Sequence, residues 1–92
     1  MAKILVIDDE ELARFTVRKY LMSAGHSVIE AKDGLEGLAL QDKDPCDLVI
    51  TDIIMPEKEG LETILELRQA DSGLPIIAIS GGGREGYSDY LE

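Results

Sequence analysis

The sequence opens with a short apolar run that ends in two acids, KILVIDD at residues 3–9. Its apolar residues follow one another without polar alternation, which is typical of a strand covered on both faces. Similar runs, LVIT at residues 48–51 and IIAI at residues 76–79, predict two further buried strands. The segment SVIE, residues 27–30, predicts the second strand in chain order.

Helical segments separate these strands. We predict helices over about residues 10–24, 33–41 and 60–68, and the last nine residues can begin a fourth. Gly25 ends the first helix because glycine reaches the left-handed C-cap conformation at little cost, and Asp44-Pro45 ends the second. Apolar faces at helical spacing are expected on the first and third helices, comprising Ala13, Val17, Leu21 and Ala24, and Leu61, Ile64, Leu65 and Leu67.

Strands and helices alternate along the chain. Apolar strands connected by helices predict an α/β fold, in which a parallel sheet carries helices on both faces. With 92 residues, the chain has room for one small domain. In such sheets ligands gather outside the carboxyl ends of the strands. The polar residues that end the strands are therefore the candidate functional residues.

Composition indicates which classes of partner and which cellular compartment are expected. Nine Lys and Arg residues stand against nineteen Asp and Glu residues, for a formal net charge of −10. Nucleic acid is excluded as a partner, since affinity for its backbone comes mainly from basic side chains. No apolar run approaches the roughly 18 residues of a membrane span, so no membrane partner is expected. The single cysteine, Cys46, cannot form an internal disulfide, and we expect a cytoplasmic protein.

Acidic and hydroxyl side chains end three of the strands. Asp8 and Asp9 follow the first strand, Asp52 the third and Ser80 the fourth. Single acids at such places are explained by helix capping, for Asp8 and Asp9, or by a turn before Pro56, for Asp52. Capping and turn formation do not explain why all these acids meet at one edge. Two like charges about 4 Å apart repel by about 4 kcal/mol at an effective dielectric constant near 20. We therefore expect a compensating cation, and oxygen ligands with room for water favour Mg²⁺.

These residues carry a resemblance to a known family. Asp8-Asp9, the segment D-x-x-M-P-x-x-x-G from Asp52 to Gly60, and Ser80 are similar to the motifs of the receiver domain of two-component response regulators. The similarity runs over residues 3–91. It implies a flavodoxin-like, doubly wound parallel sheet of about four strands in the order 2-1-3-4. It also implies a signalling domain rather than an enzyme.

The resemblance implies a role for each site residue. Asp52 is implied as the phosphoacceptor, taking a phosphoryl group from a phosphohistidine on a sensor histidine kinase or a phosphotransfer protein. Mg²⁺ is implied to bind Asp9, Asp52 and the backbone carbonyl of Ile54, with Asp8 acting through water. Ser80 is implied to donate a hydrogen bond to a phosphoryl oxygen. Such roles are chemically sensible, since in phosphoryl transfer a metal neutralises charge while protein groups position the reactants.

The family pattern continues beyond this sequence, with a lysine-bearing fifth strand and a fifth helix. The chain ends at Glu92, so we expect one receiver domain over residues 1–92, incomplete at its C-terminus and ending within the fourth helix. An alternative is a truncated, switch-deficient, receiver-like interaction module that is not productively phosphorylated. A metal-dependent phosphatase with an aspartyl intermediate is disfavoured, because such enzymes need D-x-D after the first strand.

The lack of the family's fifth strand and fifth helix in this sequence also predicts self-association. Without a fifth strand, residues 76–79 form an exposed apolar edge with no charge or proline inside it. Without a fifth helix, the sheet face beside the first helix is uncovered as well. We expect a homodimer that covers these surfaces, because exposing apolar area costs roughly 25 cal/mol per Å².

Overall fold

The computed structural model describes residues 1–53 and 60–79, which form strands and helices in strict alternation. The elements are β1 (Lys3–Ile7), α1 (Glu11–Ser23), β2 (Ser27–Ala31), α2 (Gly34–Lys43), β3 (Leu48–Asp52), α3 (Gly60–Ala70) and β4 (Ile76–Ile79). All strand pairs are parallel, and the order across the sheet is β2-β1-β3-β4. The predicted α/β fold and its strand order are confirmed. The predicted fourth helix lies outside the described residues.

The register of the sheet aligns the carboxyl ends of its strands. Ile7, the last residue of β1, lies opposite Ala31 of β2 and Thr51 of β3. Asp52 ends β3 and lies opposite Ile79, the last residue of β4. The chain therefore leaves β1, β3 and β4 at the same edge of the sheet, where the candidate acids of β1 and β3 meet.

The core occupies both faces of the sheet because side chains alternate along each strand. Leu5 and Ile7 belong to one buried cluster, which includes Leu67 of α3 and contacts the half-buried Leu38 of α2. The other cluster consists of Ile4, Val6 and Ile50, and it contacts Val17 and Leu21 of α1. Thus α1 covers one face and α2 with α3 cover the other. The prediction of helices on both faces is confirmed. In the two described segments, no helix has the length and apolar character needed to cross a bilayer.

The ends of α1 and α2 follow from local chemistry. Gly25 has a φ of 98°, the left-handed conformation predicted for it, and its N–H donates to the carbonyl of Met22 at 3.0 Å. Asp33 caps α2 by accepting a hydrogen bond of 2.8 Å from the N–H of Glu36. Ala24 is exposed, contrary to its predicted place on the apolar face of α1, because the helix ends one residue before it.

The predicted apolar face of α3 is wrong in part. Leu61 and Leu65 are 60% and 62% exposed. The buried residues of this helix are instead Gly60, Thr63 and Leu67. These three lie on one helical face at spacings of three and four. That face turns to the sheet because only a glycine at its start fits against the backbone of Ile53.

The strand β4 is less buried than its sequence predicts. Ile77 is 48% exposed and Ala78 is exposed, whereas Ile76 and Ile79 are half-buried. In the part of the chain that the structure describes, β4 pairs with β3 alone. An edge position leaves its side chains without a neighbouring strand, so an apolar run alone does not establish burial.

Candidate functional site

Three carboxylates converge at the carboxyl edge of the sheet. Asp8, Asp9 and Asp52 each offer an oxygen atom, and these atoms lie within 4.8 Å of one another. Asp8 and Asp52 are only 1% and 3% exposed, whereas Asp9 is open to solvent. The strand ends that the sequence singled out are thus brought together, with one ionisable side chain facing water and two buried behind it.

Asp8 is held by its backbone and by one carboxylate oxygen. Its N–H donates to the carbonyl of Ala31 at 3.1 Å, which continues the ladder between β1 and β2. Its Oδ1 accepts a hydrogen bond of 2.9 Å from the N–H of Glu10. Its Oδ2 is buried and has no hydrogen-bond partner among the described residues. An unpartnered buried carboxylate oxygen is costly, so this site favours a cation that satisfies it.

The environment of Asp8 shifts its acidity. Burial raises the pKa of the Asp8 carboxyl above its usual value, and the neighbouring charges of Asp52, Asp9 and Glu10 raise it further. The hydrogen bond from the Glu10 N–H lowers the pKa and only partly offsets burial. Burial and the neighbouring charges thus disfavour the ionised form of Asp8.

The alternative reading of Asp8 and Asp9 as helix caps is not supported by the geometry. Glu10 occupies the N-cap position of α1, and no side chain makes a cap hydrogen bond there. The bond from the Glu10 N–H to Asp8 joins residues two apart, as in an Asx turn. Asp8 therefore shapes the turn into α1 but does not cap the helix.

Asp52 is positioned by backbone contacts of Ile53 and Gly60. The N–H of Ile53 donates to the carbonyl of Ile79 at 2.8 Å, and the N–H of Gly60 donates to the carbonyl of Ile53 at 2.8 Å. A Cβ on Gly60 would collide with the Asp52 carbonyl oxygen and with the Ile53 backbone. The start of α3 is thus packed directly against the backbone that carries the Asp52 carboxylate.

Two of the predicted site residues cannot be placed. Ile54, whose carbonyl is the implied third metal ligand, and Ser80, the implied hydrogen-bond donor, lie outside the described residues. Their roles stay predictions from the motif.

The motifs missed one side chain that contacts the site. Arg14 of α1 donates from Nη1 to the carbonyl of Asp8 at 2.7 Å and from Nε to Oε1 of Glu30 at 2.9 Å. The signal in the sequence was a glutamate within an otherwise apolar segment of β2, together with two arginines, Arg14 and Arg18, spaced by one helical turn. Both arginines lie within ion-pair distance of Glu30.

The donor set of this edge fits Mg²⁺. Mg²⁺ prefers octahedral oxygen coordination, keeps several waters and binds through one or two carboxylates. The cluster supplies carboxylate oxygens alone, and the exposed Asp9 leaves one side open for water. The buried Oδ2 of Asp8, which has no partner among the described residues, would be a further acceptor at such a site.

Comparison with known proteins decides the family. The model of the response regulator receiver domain matches residues 4–90. The chain belongs to the response regulator receiver domain family. A receiver domain is a signalling domain, and the strand order described above matches the fold of its solved relatives.

Solved and curated relatives support the assignment. The response regulator MprA of Mycolicibacterium vanbaalenii is 40% identical over 98 residues, covering 97% of this chain and 42% of that protein. The receiver domain therefore spans less than half the length of the curated relatives it matches. TrrA of Thermotoga maritima, solved in complex with Mg²⁺ and BeF, is 34% identical with a TM-score of 0.85, covering 99% of this chain and 77% of that one. TrrA was also solved in complex with the histidine kinase ThkA. That structure matches with a TM-score of 0.84 and 34% identity, covering 92% of this chain and 73% of that one.

Proposed function

We propose that this receiver domain accepts a phosphoryl group on Asp52 from a phosphohistidine, in the presence of Mg²⁺. The observation that carries the proposal is the convergence of Asp8, Asp9 and Asp52 within 4.8 Å at the carboxyl edge of the sheet. A carboxylate nucleophile beside two further acids needs a cation before a phosphoryl group, itself anionic, can approach.

The reaction proposed for Asp52 is a displacement at phosphorus. A carboxylate oxygen of Asp52 attacks the phosphorus, the P–N bond to the histidine breaks, and an acyl phosphate forms. Asp9 and Asp52 are the proposed direct ligands of Mg²⁺, together with the carbonyl of Ile54, and Asp8 is proposed to act through water. Bound Mg²⁺ supplies neutralisation of the charge on the transferring oxygens. Ser80 is proposed to donate a hydrogen bond to one of those oxygens.

The proposed partner is a sensor histidine kinase or a phosphotransfer protein. Support comes from the relative TrrA, which was solved in complex with the histidine kinase ThkA. The net charge of −10 argues against direct binding of nucleic acid by this domain. Its one cysteine supports a reducing compartment, and the cytoplasmic location stays a prediction. The domain is proposed to act as a phosphoacceptor in signalling, with no separate substrate to turn over.

The test is phosphorylation by a small phosphodonor. The protein is incubated with acetyl phosphate and Mg²⁺, and its intact mass is followed with time. We expect a gain of one phosphoryl group that is lost when Asp52→Asn replaces the nucleophile and when the metal is chelated. The matched control, Asp42→Asn, changes an exposed aspartate of α2 and leaves labelling intact. Labelling that persists in Asp52→Asn would contradict the assignment.

The alternative function makes a different prediction in the same experiment. A switch-deficient interaction module binds Mg²⁺ at the acidic edge and is not labelled by acetyl phosphate. The proposal for Asp52 is then wrong, while the metal site survives.

We also propose that the 92-residue chain self-associates through β4. This strand pairs on one side only within the described residues, and its central residues Ile77 and Ala78 are exposed. A second copy fits this edge because an equivalent strand offers matching backbone donors and acceptors and the same apolar side chains.

A further inference from the structure

We propose that Arg14 is a positioning residue, which orients the peptide between Asp8 and Asp9 and thereby sets the affinity of the acidic site for Mg²⁺. The inference rests on the proposed function, because it concerns the same metal site. It adds a residue that none of the sequence motifs contains.

The contact that carries the inference is made to a backbone atom. Arg14 Nη1 donates a hydrogen bond of 2.7 Å to the carbonyl oxygen of Asp8. That carbonyl belongs to the peptide unit whose nitrogen is the backbone N of Asp9. Because the peptide unit is planar, fixing the Asp8 oxygen also fixes the direction in which the chain enters Asp9. Arg14 thus controls where the exposed carboxylate of the cluster points.

A second contact holds the guanidinium in place. Arg14 Nε donates to Oε1 of Glu30 at 2.9 Å, and the Arg14 side chain is only 16% exposed. Glu30 is in β2, next to Ala31, whose carbonyl accepts the hydrogen bond of 3.1 Å from the Asp8 N–H. Two neighbouring residues of β2 therefore hold the Asp8 backbone. Ala31 binds its N–H directly, and Glu30 holds its carbonyl through Arg14. The planar fork of arginine suits this bridge, because it presents several donors in fixed directions.

Arg18 provides an internal comparison. Its Nε lies 2.7 Å from Oε2 of the same Glu30, one helical turn further along α1. This Nε makes no hydrogen bond within the described residues, and the hydrogen-bond and ion-pair partners of the Arg18 side chain there are Met22 and Glu30. Arg14 and Arg18 are thus alike in charge, helix and acidic partner, and they differ in the contact with the Asp8 carbonyl.

The direction in which Mg²⁺ affinity changes when Arg14 is removed distinguishes a positioning role from an effect of its charge. As a cation beside a cation site, Arg14 repels Mg²⁺, so its removal would strengthen metal binding if charge were its only contribution. As a positioning residue, its removal frees the Asp8–Asp9 peptide and weakens metal binding. Hydrogen-bond partners that orient metal ligands typically contribute about 10-fold or more to affinity.

The experiment compares Mg²⁺ binding by calorimetry in the full chain and in matched variants. For Arg14→Met we expect an affinity about 10-fold weaker than that of the unmodified chain. For Arg18→Met we expect an unchanged affinity, although both variants lose an ion pair with Glu30 and have lower thermal stability. Arg14→Lys keeps the charge, but one ammonium group cannot span Glu30 and Asp8, so its affinity is also weaker.

A metal-free readout and a milder variant complete the design. In ¹⁵N–¹H spectra recorded without Mg²⁺, the Asp9 amide signal shifts in Arg14→Met and stays in place in Arg18→Met. Should Arg14→Met fail to fold, Glu30→Gln weakens the anchor of Arg14 while keeping the shape of the side chain. It is expected to lower the Mg²⁺ affinity in the same direction and by less.

Several outcomes would overturn the inference. Equal affinities of Arg14→Met and Arg18→Met, tighter binding by Arg14→Met, or full affinity in Arg14→Lys would each show that Arg14 does not position the site. An unmodified chain that binds no Mg²⁺ would instead remove the proposed metal site, and this inference with it. The two failures are therefore distinguishable by the unmodified chain alone.

Discussion

The N–H of Ile53 donates a hydrogen bond of 2.8 Å to the carbonyl oxygen of Ile79. Ile53 follows the proposed phosphoacceptor, and Ile79 precedes Ser80 in the sequence. The backbone next to Asp52 is thereby joined to the end of β4, so a shift of one of these backbone segments strains the other. Asp52, the proposed nucleophile, ends β3, and the proposed hydroxyl donor follows β4 in the sequence.

Mg²⁺ is expected to stabilise the fold. It binds the native cluster of Asp8, Asp9 and Asp52 and relieves repulsion that the unfolded chain does not have. At 100 times its dissociation constant, a ligand that binds only the native state adds about 2.7 kcal/mol. The measurement is the midpoint of thermal unfolding with and without millimolar Mg²⁺, and NaCl at equal ionic strength is the control. Asp9→Asn should remove most of the increase, and an unchanged midpoint in the unmodified chain would contradict the metal site.

The stability of the metal-free protein is expected to depend on Asp8 and on pH. Burial is the main cause that raises the pKa of Asp8 in the folded protein above its usual value of 3.8. At a pH between the pKa of Asp8 in the unfolded chain and its pKa in the native protein, the native state binds more protons than the unfolded state. The contribution of Asp8 to the free energy of unfolding is therefore full at lower pH and is lost as pH rises through the folded pKa.

The variant Asp8→Asn tests this dependence because it removes the buried charge. It should be more stable than the unmodified chain at neutral pH, and the difference should vanish as pH falls below 3.8. Unfolding is measured with urea across this range, with the exposed Asp42→Asn as control. A variant that is less stable than the unmodified chain at neutral pH would contradict the prediction.

Gly60 is expected to tolerate no side chain. A Cβ at this position would overlap the Asp52 carbonyl oxygen and the Ile53 backbone, neither of which can rotate away. Gly60→Ala should therefore lower the free energy of unfolding by about 1–3 kcal/mol and slow labelling of Asp52. Gly73→Ala is the matched control, because the nearest atom to its Cβ, an Asp71 oxygen, is 3.7 Å away. Equal stabilities of the two variants would show that the close approach is relieved at no cost.

Two leucines of α3 should differ in their effect on stability. Leu67 is 1% exposed and belongs to the core, whereas Leu65 is 62% exposed. Leu67→Ala should cost about 2–5 kcal/mol of unfolding free energy by leaving a cavity, while Leu65→Ala should change it by less than about 0.5 kcal/mol. Chemical denaturation of both variants measures the difference. A large cost at Leu65 would restore the apolar face that the sequence pattern indicated.

Self-association through β4 should be abolished by a charge. Ile77→Lys places an ammonium group on the exposed edge, where two copies would bring like charges together. Sedimentation velocity at micromolar concentration should show a dimer for the unmodified chain and a monomer for this variant. Leu65→Lys, on an exposed residue of α3, serves as control and should remain dimeric. A stable, folded monomer of the unmodified chain would rule out the proposed dimer.

The sequence predicted the sheet and its acidic edge because both depend on local patterns. Uninterrupted apolar runs marked β1, β3 and β4, and an acid directly after a parallel strand must lie at the carboxyl edge. The convergence of Asp8, Asp9 and Asp52 then required only the strand order, which the family resemblance implied. Gly25 was predictable for the same reason, since its role involves residues nearby in the chain.

What the sequence failed to predict depends on contacts between distant segments. Leu61 and Leu65 fit a helical stripe, yet the orientation of α3 is set by how Gly60 packs on the backbone after β3. Gly37 weakens α2 by propensity, but α2 lies so close to β1 that a Cβ there would overlap the side chain of Ile7. The contact of Arg14 with the Asp8 carbonyl likewise requires α1 to dock on β2 first.

The parallel order of the strands also determines when the acidic site forms during folding. The pairs among β1, β2, β3 and β4 are all parallel, so none of these four strands closes on another as a hairpin and each pairing waits for a helical crossover. Asp8 and Asp52 reside on different crossover units, and neither unit has the site alone. Their carboxylates first repel one another when β1 docks on β3. We therefore expect a divalent cation to accelerate this docking step, so that refolding, and not only the folded state, responds to Mg²⁺.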